Sequence, residues 1–189
     1  LTHIHCIDYI LDHVMEPLDT RFIRKLHELL MAGTVDAYRQ RVRPGEYRTT
    51  IPKNRDRPMI QGSQIHSSLT MLIEYYETRA EIERNQILDF HVRFEQIHPF
   101  DDGNGRVGRL IMFKECLRHD IMPFILDDKR RSRYLQGIRE WFADRYELVD
   151  VVMEAQSRFE AQIELQKLQK SAEFYQPEEF KEGLKNEDE

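Results

Sequence analysis

The chemistry-bearing residues of this chain are concentrated in one short segment, residues 97–110. It reads Ile-His-Pro-Phe-Asp-Asp-Gly-Asn-Gly-Arg-Val-Gly-Arg-Leu, so an imidazole, two carboxylates, three glycines, an amide and two guanidinium groups stand close together. The imidazole belongs to His98. Because the ordinary pKa of histidine lies near neutrality, this side chain can accept a proton from an attacking hydroxyl group. The segment therefore predicts acid–base chemistry at His98.

The residues that follow the two carboxylates favour anion binding. Gly103, Asn104 and Gly105 readily adopt backbone conformations in which successive N–H groups point into one concave surface. If a helix begins here, its unpaired amides and its dipole attract an anion, and phosphate is the natural ligand. The sequence therefore predicts a phosphate site at the start of a helix.

Two arginines extend this predicted site. Arg106 and Arg109 are three residues apart, so they lie on one face of the first turn, where each guanidinium can bind phosphate oxygens. Asp102 is placed to hold a Mg²⁺ ion through one carboxylate, as such ions usually sit between protein and phosphates. This pattern favours nucleotidyl or phosphoryl transfer, and it differs from a Walker loop and from a dinucleotide fingerprint.

Amphipathic helices must position these groups. Apolar residues recur at helical spacing in residues 4–15, in a segment capped by Asp19 or Thr20, and in residues 65–76, 87–97, 107–117, 131–143 and 148–170. Pro99 must end the fourth of these helices, which leaves His98 at its exit. Residues 41–62 contain three prolines and predict a loop or an irregular hairpin. The expected fold is a mostly α single domain.

Composition narrows the class of protein. The net charge of −6 and the pI of about 5.8 argue against a surface for nucleic acid, and we interpret the basic run 129–133 as a solvated helix start. No apolar run approaches the roughly 20 residues of a membrane span. Cys6 and Cys116 predict reduced core thiols. We therefore expect a soluble, cytoplasmic protein with neither nucleic acid nor membrane as a partner.

The central segment resembles the Fic family motif H-x-F-x-[DE]-G-N-G-R-x-x-R, and its fixed positions are met by His98, Phe100, Asp102, Gly103, Asn104, Gly105, Arg106 and Arg109. The similarity extends more loosely over most of the chain and includes Gly45-Glu-Tyr-Arg48. It implies an all-α fold, a Fic helical bundle with a short β-hairpin flap. It also implies one domain over residues 1–170, with a core at 41–143, flanking helices at 1–31 and 148–170, and a charged tail at 171–189.

The resemblance implies a protein adenylyltransferase that transfers AMP from Mg-ATP to a Ser, Thr or Tyr hydroxyl of a target protein, itself included. On this basis His98 is the general base, Asp102 the Mg²⁺ ligand and Phe100 an inward-turned apolar anchor. The anion hole for the α and β phosphates would comprise Gly103, Asn104 and Gly105. Arg106 and Arg109 would contact the β and γ phosphates.

The resemblance also implies where the target protein and the adenine of ATP bind. Ile51, Pro52, Lys53 and Asn54 occupy the place of the flap, which pairs with an extended target segment largely through backbone atoms. Tyr134, together with Leu135 and Trp141, resembles the wall beside the adenine. The family often carries a second tyrosine at the position of Leu135.

Many Fic proteins are restrained by a glutamate in an [ST]-x-x-x-E-[GN] helix, which pairs with the second motif arginine, here Arg109. In this chain Glu182 has Glu178 in place of the Ser or Thr, and Glu74 is followed by Tyr75. Residues 1–31 resemble the helices that follow an inhibitory segment in bacterial Fic proteins. We therefore expect the glutamate upstream or in a partner protein. Because the family commonly dimerises, a homodimer is a further expectation.

Two other functions remain open from the sequence. The same site can remove AMP from a target, or transfer another nucleotide or phosphate group, depending on how the substrate is oriented. A non-catalytic nucleotide-binding module is the third reading, and it is disfavoured because His98 and Asp102 are both present. The intact Gly103-Asn-Gly105-Arg run favours AMP transfer, since the related phosphate-transferring death-on-curing toxins alter this anion hole.

Overall fold

The computed structural model describes residues 2–40, 42–52 and 58–174, and within these ranges the chain is helical and contains no strand. The helices are α1 (Thr2–Asp12), α2 (Thr20–Met31), α3 (Val35–Gln40), α4 (Ile65–Glu77), α5 (Arg84–Ile97), α6 (Asn104–Arg118), α7 (Arg131–Glu140) and α8 (Tyr146–Phe174). Single 3₁₀ turns precede α4 and α7. The predicted all-α fold is confirmed.

Local sequence signals account for the helix ends nearest the site. Asp19 caps α2, where its Oδ1 accepts a hydrogen bond from the backbone N–H of Phe22 at 2.7 Å. Helix α5 ends at Ile97, directly before His98, as Pro99 predicts. The six-residue helix α3 was not predicted, because so short a segment carries too few apolar residues to show a helical period.

The predicted flap falls partly outside the described residues. Residues 42–52 and 58–61 form irregular backbone. Lys53 and Asn54 belong to the segment that the structure does not describe, so the hairpin stays a prediction.

Helix α6 packs against α1, α2 and α5, and this contact forms much of the hydrophobic core. Fully or almost fully buried side chains include Leu26 of α2, Phe94 of α5 and Ile111 of α6. Burying a side chain of this size stabilises the fold by about 1.5–3 kcal/mol. Cys6 and Cys116 are buried free thiols, as expected.

The carboxyl-terminal part of the described chain is a long helix. α8 packs on α7 in its first half, and its second half is largely exposed. It continues to Phe174, four residues into the segment predicted as a tail, and residues 175–189 lie outside the described ranges. Among the described residues, no helix is long and apolar enough to cross a membrane. The predicted domain boundaries stay a prediction.

Candidate functional site

The predicted chemistry-bearing residues come together around one cavity of about 1030 Å³. This volume is at the upper end of the range of ligand and cofactor pockets. On one side the cavity is lined by the turn between α5 and α6 and by the first turn of α6, from His98 to Arg109. On the other side it is lined by α7, including Tyr134 and Leu135. The turn thus forms one wall of a cleft that is large enough for a nucleotide.

His98 stands at the exit of α5 in an unusual backbone conformation. Its φ of 49° lies in the left-handed region, and its backbone N–H donates to the Phe94 carbonyl at 2.9 Å, which closes the helix. The side chain is 6% exposed, and Nδ1 is buried at 3.9 Å from Oε2 of Glu95. His98 is one of the residues that line the cavity, so its ring stands next to the space that a substrate would occupy.

A reciprocal pair of hydrogen bonds fixes the turn itself. The backbone N–H of Phe100 donates to Oδ1 of Asn104 at 2.9 Å, and Nδ2 of Asn104 donates to the Phe100 carbonyl at 2.8 Å. The Phe100 ring is fully buried, in line with the inward-turned anchor that the family resemblance implies. The Asn104 side chain therefore braces the turn, while its backbone amide remains at the start of α6.

The start of α6 has the geometry that anion binding needs. Gly103 has a φ of +79°, which glycine adopts without strain, and its carbonyl accepts the first helical bond, from Val107 at 2.9 Å. The amides of Asn104, Gly105 and Arg106 precede that bond and have no acceptor within the helix. All three residues line the cavity. Backbone amides and the helix dipole are therefore available to an anion there.

The charged side chains of the motif lie beside these amides. Arg106 donates to Oδ2 of Asp102 at 3.0 Å, with about a third of each side chain exposed, and Arg109 is exposed. Among the described residues, no group of three or more His, Cys, Asp or Glu side chains is arranged to hold a metal ion. The single Asp102 carboxylate fits Mg²⁺, which binds through one or two carboxylates and takes its other ligands from phosphates and water.

The α7 wall differs in detail from the sequence-based expectation. Tyr134 is 3% exposed, and its hydroxyl is hydrogen-bonded to Nε2 of His91. Burial raises the pKa of Tyr134 and lowers that of His91 to about 3, so both groups are neutral near pH 7. Leu135 is 40% exposed on the cavity wall, whereas Trp141 is fully buried and donates to Asp89 at 2.9 Å. The indole therefore lies in the core.

Arg48 is a structural link that the sequence did not indicate. This side chain is 1% exposed, and its guanidinium donates to the carbonyls of His98 at 2.8 Å and Ile97 at 3.2 Å. It also donates to the carbonyls of Thr50 at 3.1 Å and Ile60 at 3.0 Å, one on each side of the predicted flap. Arg48 thereby fastens both ends of the flap segment to the backbone of His98.

The two flap residues that the structure describes, Ile51 and Pro52, directly follow Thr50, whose carbonyl Arg48 contacts. Ile51 is 41% exposed and Pro52 is partly buried. An exposed apolar residue at this place is compatible with a role in docking a target.

Four further residues near the site were missed. His91 and Glu95 lie four residues apart on one face of α5, which ends directly before His98, and this spacing could have identified them. Gly108 is part of this arrangement, because a Cβ there would lie 2.7 Å from the His91 ring. His27 contacts the turn from α2, and nothing in the sequence pattern signals that contact.

Two of the arginines in the basic run 129–133 contact carboxylates. Arg133 donates to Glu147, Asp150 and Glu154 of α8 at 2.5–2.8 Å. Arg130 donates to Glu154 at 3.1 Å. These arginines join α7 to α8, while Arg131 lines the cavity.

Comparison with known proteins agrees with this geometry. The chain is 34% identical over 64 residues to a probable protein adenylyltransferase of Aquifex aeolicus and 39% identical over 49 residues to the protein adenylyltransferase Fic of Drosophila melanogaster. These segments cover 34% and 26% of the chain but span 19% and 10% of the relatives, so the chain matches a small part of each.

Solved structures share the fold at low sequence identity. Fic-1 of C. elegans superposes with a TM-score of 0.68 at 20% identity, covering 87% of this chain and 51% of the other. A Fic domain containing signaling protein of Bacteroides thetaiotaomicron gives 0.67 at 19% identity, covering 84% and 66%. The Fic/DOC family profile matches residues 17–116, which is more than half of the chain and includes the whole turn. The chain belongs to the Fic/DOC family.

Proposed function

We propose that this chain is a protein adenylyltransferase that transfers AMP from Mg-ATP to a Ser, Thr or Tyr hydroxyl of a target protein. The observation that carries the proposal is the convergence of His98, the amides at the start of α6 and two arginines on one cavity. A general base and a polyphosphate site within one cleft are what nucleotidyl transfer requires. The names of the matched relatives point to the same activity.

The reaction assigns one role to each group. The target hydroxyl oxygen attacks the α-phosphorus, the bond from that phosphorus to the bridging oxygen breaks, and pyrophosphate leaves. His98 accepts the hydroxyl proton at Nε2, while the amides of Gly103, Asn104 and Gly105 stabilise negative charge on the α and β phosphates. Arg106 and Arg109 hold the β and γ phosphates. These oriented donors lower the barrier because they already stand where charge develops.

Magnesium is part of this proposal. When bound, it neutralises phosphate charge and polarises the phosphoryl oxygens. Asp102 is the residue that would hold it. Since Arg106 contacts the same carboxylate, its guanidinium would be shared between Asp102 and the phosphates.

In this proposal the adenine base binds against α7 and the target binds at the flap segment. The α7 wall supplies surface for adenine from Tyr134, Leu135 and Ile138, which all line the cavity. The flap segment that contains Ile51, Pro52, Lys53 and Asn54 receives the target. An inhibitory glutamate upstream or in a partner would act on Arg109, and a homodimer is compatible with the family.

Label transfer tests the proposal. The chain is incubated with Mg²⁺, a cell lysate as the target source, and ATP that is labelled at either the α or the γ phosphate. We expect protein-bound label from the α position only. Label from the γ position would replace AMP transfer with phosphoryl transfer. Bound ATP with no label from either position would favour the non-catalytic module.

A further inference from the structure

His27 of α2 joins two parts of the chain that meet at the site. Its Nδ1 accepts a hydrogen bond from the backbone N–H of Gly45 at 2.9 Å, and its Nε2 lies 3.1 Å from the carbonyl oxygen of Asp102. Because Nδ1 accepts, the ring proton belongs on Nε2, which then donates to the Asp102 carbonyl. One neutral tautomer therefore makes both contacts.

The surroundings of His27 hold the ring in this state. The side chain is fully buried, and its ring stacks on Phe100 with the centroids 3.8 Å apart and the planes within 2°. The charged groups that act on it are Asp102 and Arg106. Burial lowers the pKa of His27 to about 4, so the ring is neutral near pH 7.

The contact with Asp102 controls the amide next to it. A trans peptide is planar, with its carbonyl and its N–H on opposite sides, so fixing the Asp102 carbonyl also fixes the Gly103 N–H. His27 holds that carbonyl toward α2, which turns the Gly103 N–H the other way. Gly103 lines the cavity. His27 therefore aims one of the amides of the anion site.

The contact with Gly45 controls the segment that leads to the flap. The Gly45 carbonyl accepts a hydrogen bond from Nε of Arg24 at 2.7 Å, so α2 holds this residue at both its N–H and its carbonyl. Arg48, three residues later, donates to the His98 carbonyl. We call residues 45–50 the flap arm. The flap arm is thus attached to α2 at its start and to the turn near its end.

We propose that His27 is a positioning residue, which from one ring orients the Asp102–Gly103 peptide for phosphate binding and sets the start of the flap arm. This inference rests on the proposed function, because it assigns the anion site to ATP. It adds a physical connection between nucleotide binding and the segment that receives the target.

Two conservative variants separate the two contacts. His27→Asn places an amide near the position of Nδ1, so it keeps an acceptor for Gly45 and loses the Asp102 contact. His27→Gln reaches the position of Nε2, so it keeps a donor to Asp102 and loses the Gly45 contact. His5→Asn, at an exposed position of α1, is the matched control.

The readouts are ATP affinity with Mg²⁺ by calorimetry, amide exchange at Gly45 and Gly103, and thermal unfolding. We expect His27→Asn to weaken ATP binding about tenfold, the size of one lost buried hydrogen bond. We expect His27→Gln to weaken it less and to accelerate exchange at Gly45. His5→Asn should match the wild type in every readout.

The separation of the two effects decides the inference. If both variants lose ATP affinity equally and in proportion to their melting temperatures, His27 has a structural role alone and the proposal is overturned. If ATP affinity and amide exchange remain those of the wild type, it is overturned as well. A wild-type chain that binds no ATP contradicts the proposed function, and in that case unchanged exchange at Gly45 and Gly103 overturns the role of His27 separately.

Discussion

The two ends of helix α6 carry similar charged residues in opposite circumstances. At its beginning, Arg106 is about a third exposed and Arg109 is exposed, and both line the cavity. Near its end, Lys114 and Glu115 are buried completely, and Nζ of Lys114 donates to Oε1 of Glu115 at 2.8 Å. One helix therefore presents charge to the cavity at one end and uses charge to join neighbouring elements at the other.

The buried end is a closed network. Glu115 accepts from the Tyr76 hydroxyl at 2.9 Å, and Arg118 donates to Glu77 at 2.7 and 3.0 Å. Lys114 also donates to the carbonyl of Glu16, so these groups join α6 to α4 and to the segment between α1 and α2. Buried charges are tolerated when every partner is present. The difference teaches that accessibility, rather than charge itself, marks the functional end.

The largest expected effect comes from breaking the buried pair. Glu115→Leu leaves the Lys114 ammonium and the Tyr76 hydroxyl buried without their carboxylate, so we expect the free energy of unfolding to fall by about 3–5 kcal/mol. Urea unfolding measures it. The double variant Lys114→Met/Glu115→Leu is the control and should recover much of the loss. A loss below about 1 kcal/mol in the single variant would show that the pair is not structurally important.

At the beginning of α6, Arg109→Ala should weaken ATP binding strongly and change the free energy of unfolding much less. Removing the guanidinium that we propose to bind phosphate should weaken ATP binding about 10- to 100-fold, since hydrogen bonds to charged groups are worth about 1.5–3 kcal/mol. Because the Arg109 side chain also hydrogen-bonds the buried Tyr134, the free energy of unfolding should fall by about 1 kcal/mol, well below the loss expected for Glu115→Leu. Calorimetry and urea unfolding of the same preparation test both statements. Unchanged ATP affinity would remove Arg109 from the proposed site.

As the pH falls, we expect the histidines near the beginning of α6 to lower the stability of the fold before the carboxylates near its end do. His27 and His91 have pKa values of about 4 and 3, below the ordinary value of 6.5, because burial disfavours the charged ring. The unfolded chain therefore binds about two protons that the folded chain does not, and stability falls as the pH drops from about 6.5 toward 4.

Glu77, at the buried end, behaves differently. Burial opposes the shift, but hydrogen bonds from Arg118 and Leu18 lower its pKa, so its contribution is lost only below the ordinary carboxyl range. His27→Gln should reduce the pH dependence between 7 and 5 by about one proton, measured by urea unfolding across that range. Equal slopes for the wild type and the variant would contradict this assignment.

The sequence predicted the groups that act locally. The motif turn, the end of α5 before His98 and the cap at Asp19 all follow from proline, glycine and capping chemistry within a few residues. The contacts of His27 and Arg48 with the turn did not, because they join residues about 50 to 75 positions apart through backbone carbonyls. Such contacts depend on tertiary packing and leave no periodic pattern.

The same limit applies to the burial of Lys114, Glu115 and Tyr134. Lysine and glutamate are almost never fully buried unless they are paired. Lys114 and Glu115 pair with each other, but their further partners, Tyr76 and the Glu16 carbonyl, are distant in the sequence. Tyr134 lines the cavity as a wall residue, but its burial and the contact of its hydroxyl with His91 were not predicted, because His91 is 43 positions away in the sequence.

The central claim is that His98 is the base of an AMP transfer, and the most direct test is label transfer from α-labelled ATP by the wild type and by His98→Ala, with His5→Ala as the control. Nucleotide affinity is measured in parallel. The account predicts a loss of about 10²- to 10⁴-fold in transfer with ATP binding retained. Transfer at the wild-type rate in His98→Ala would contradict it.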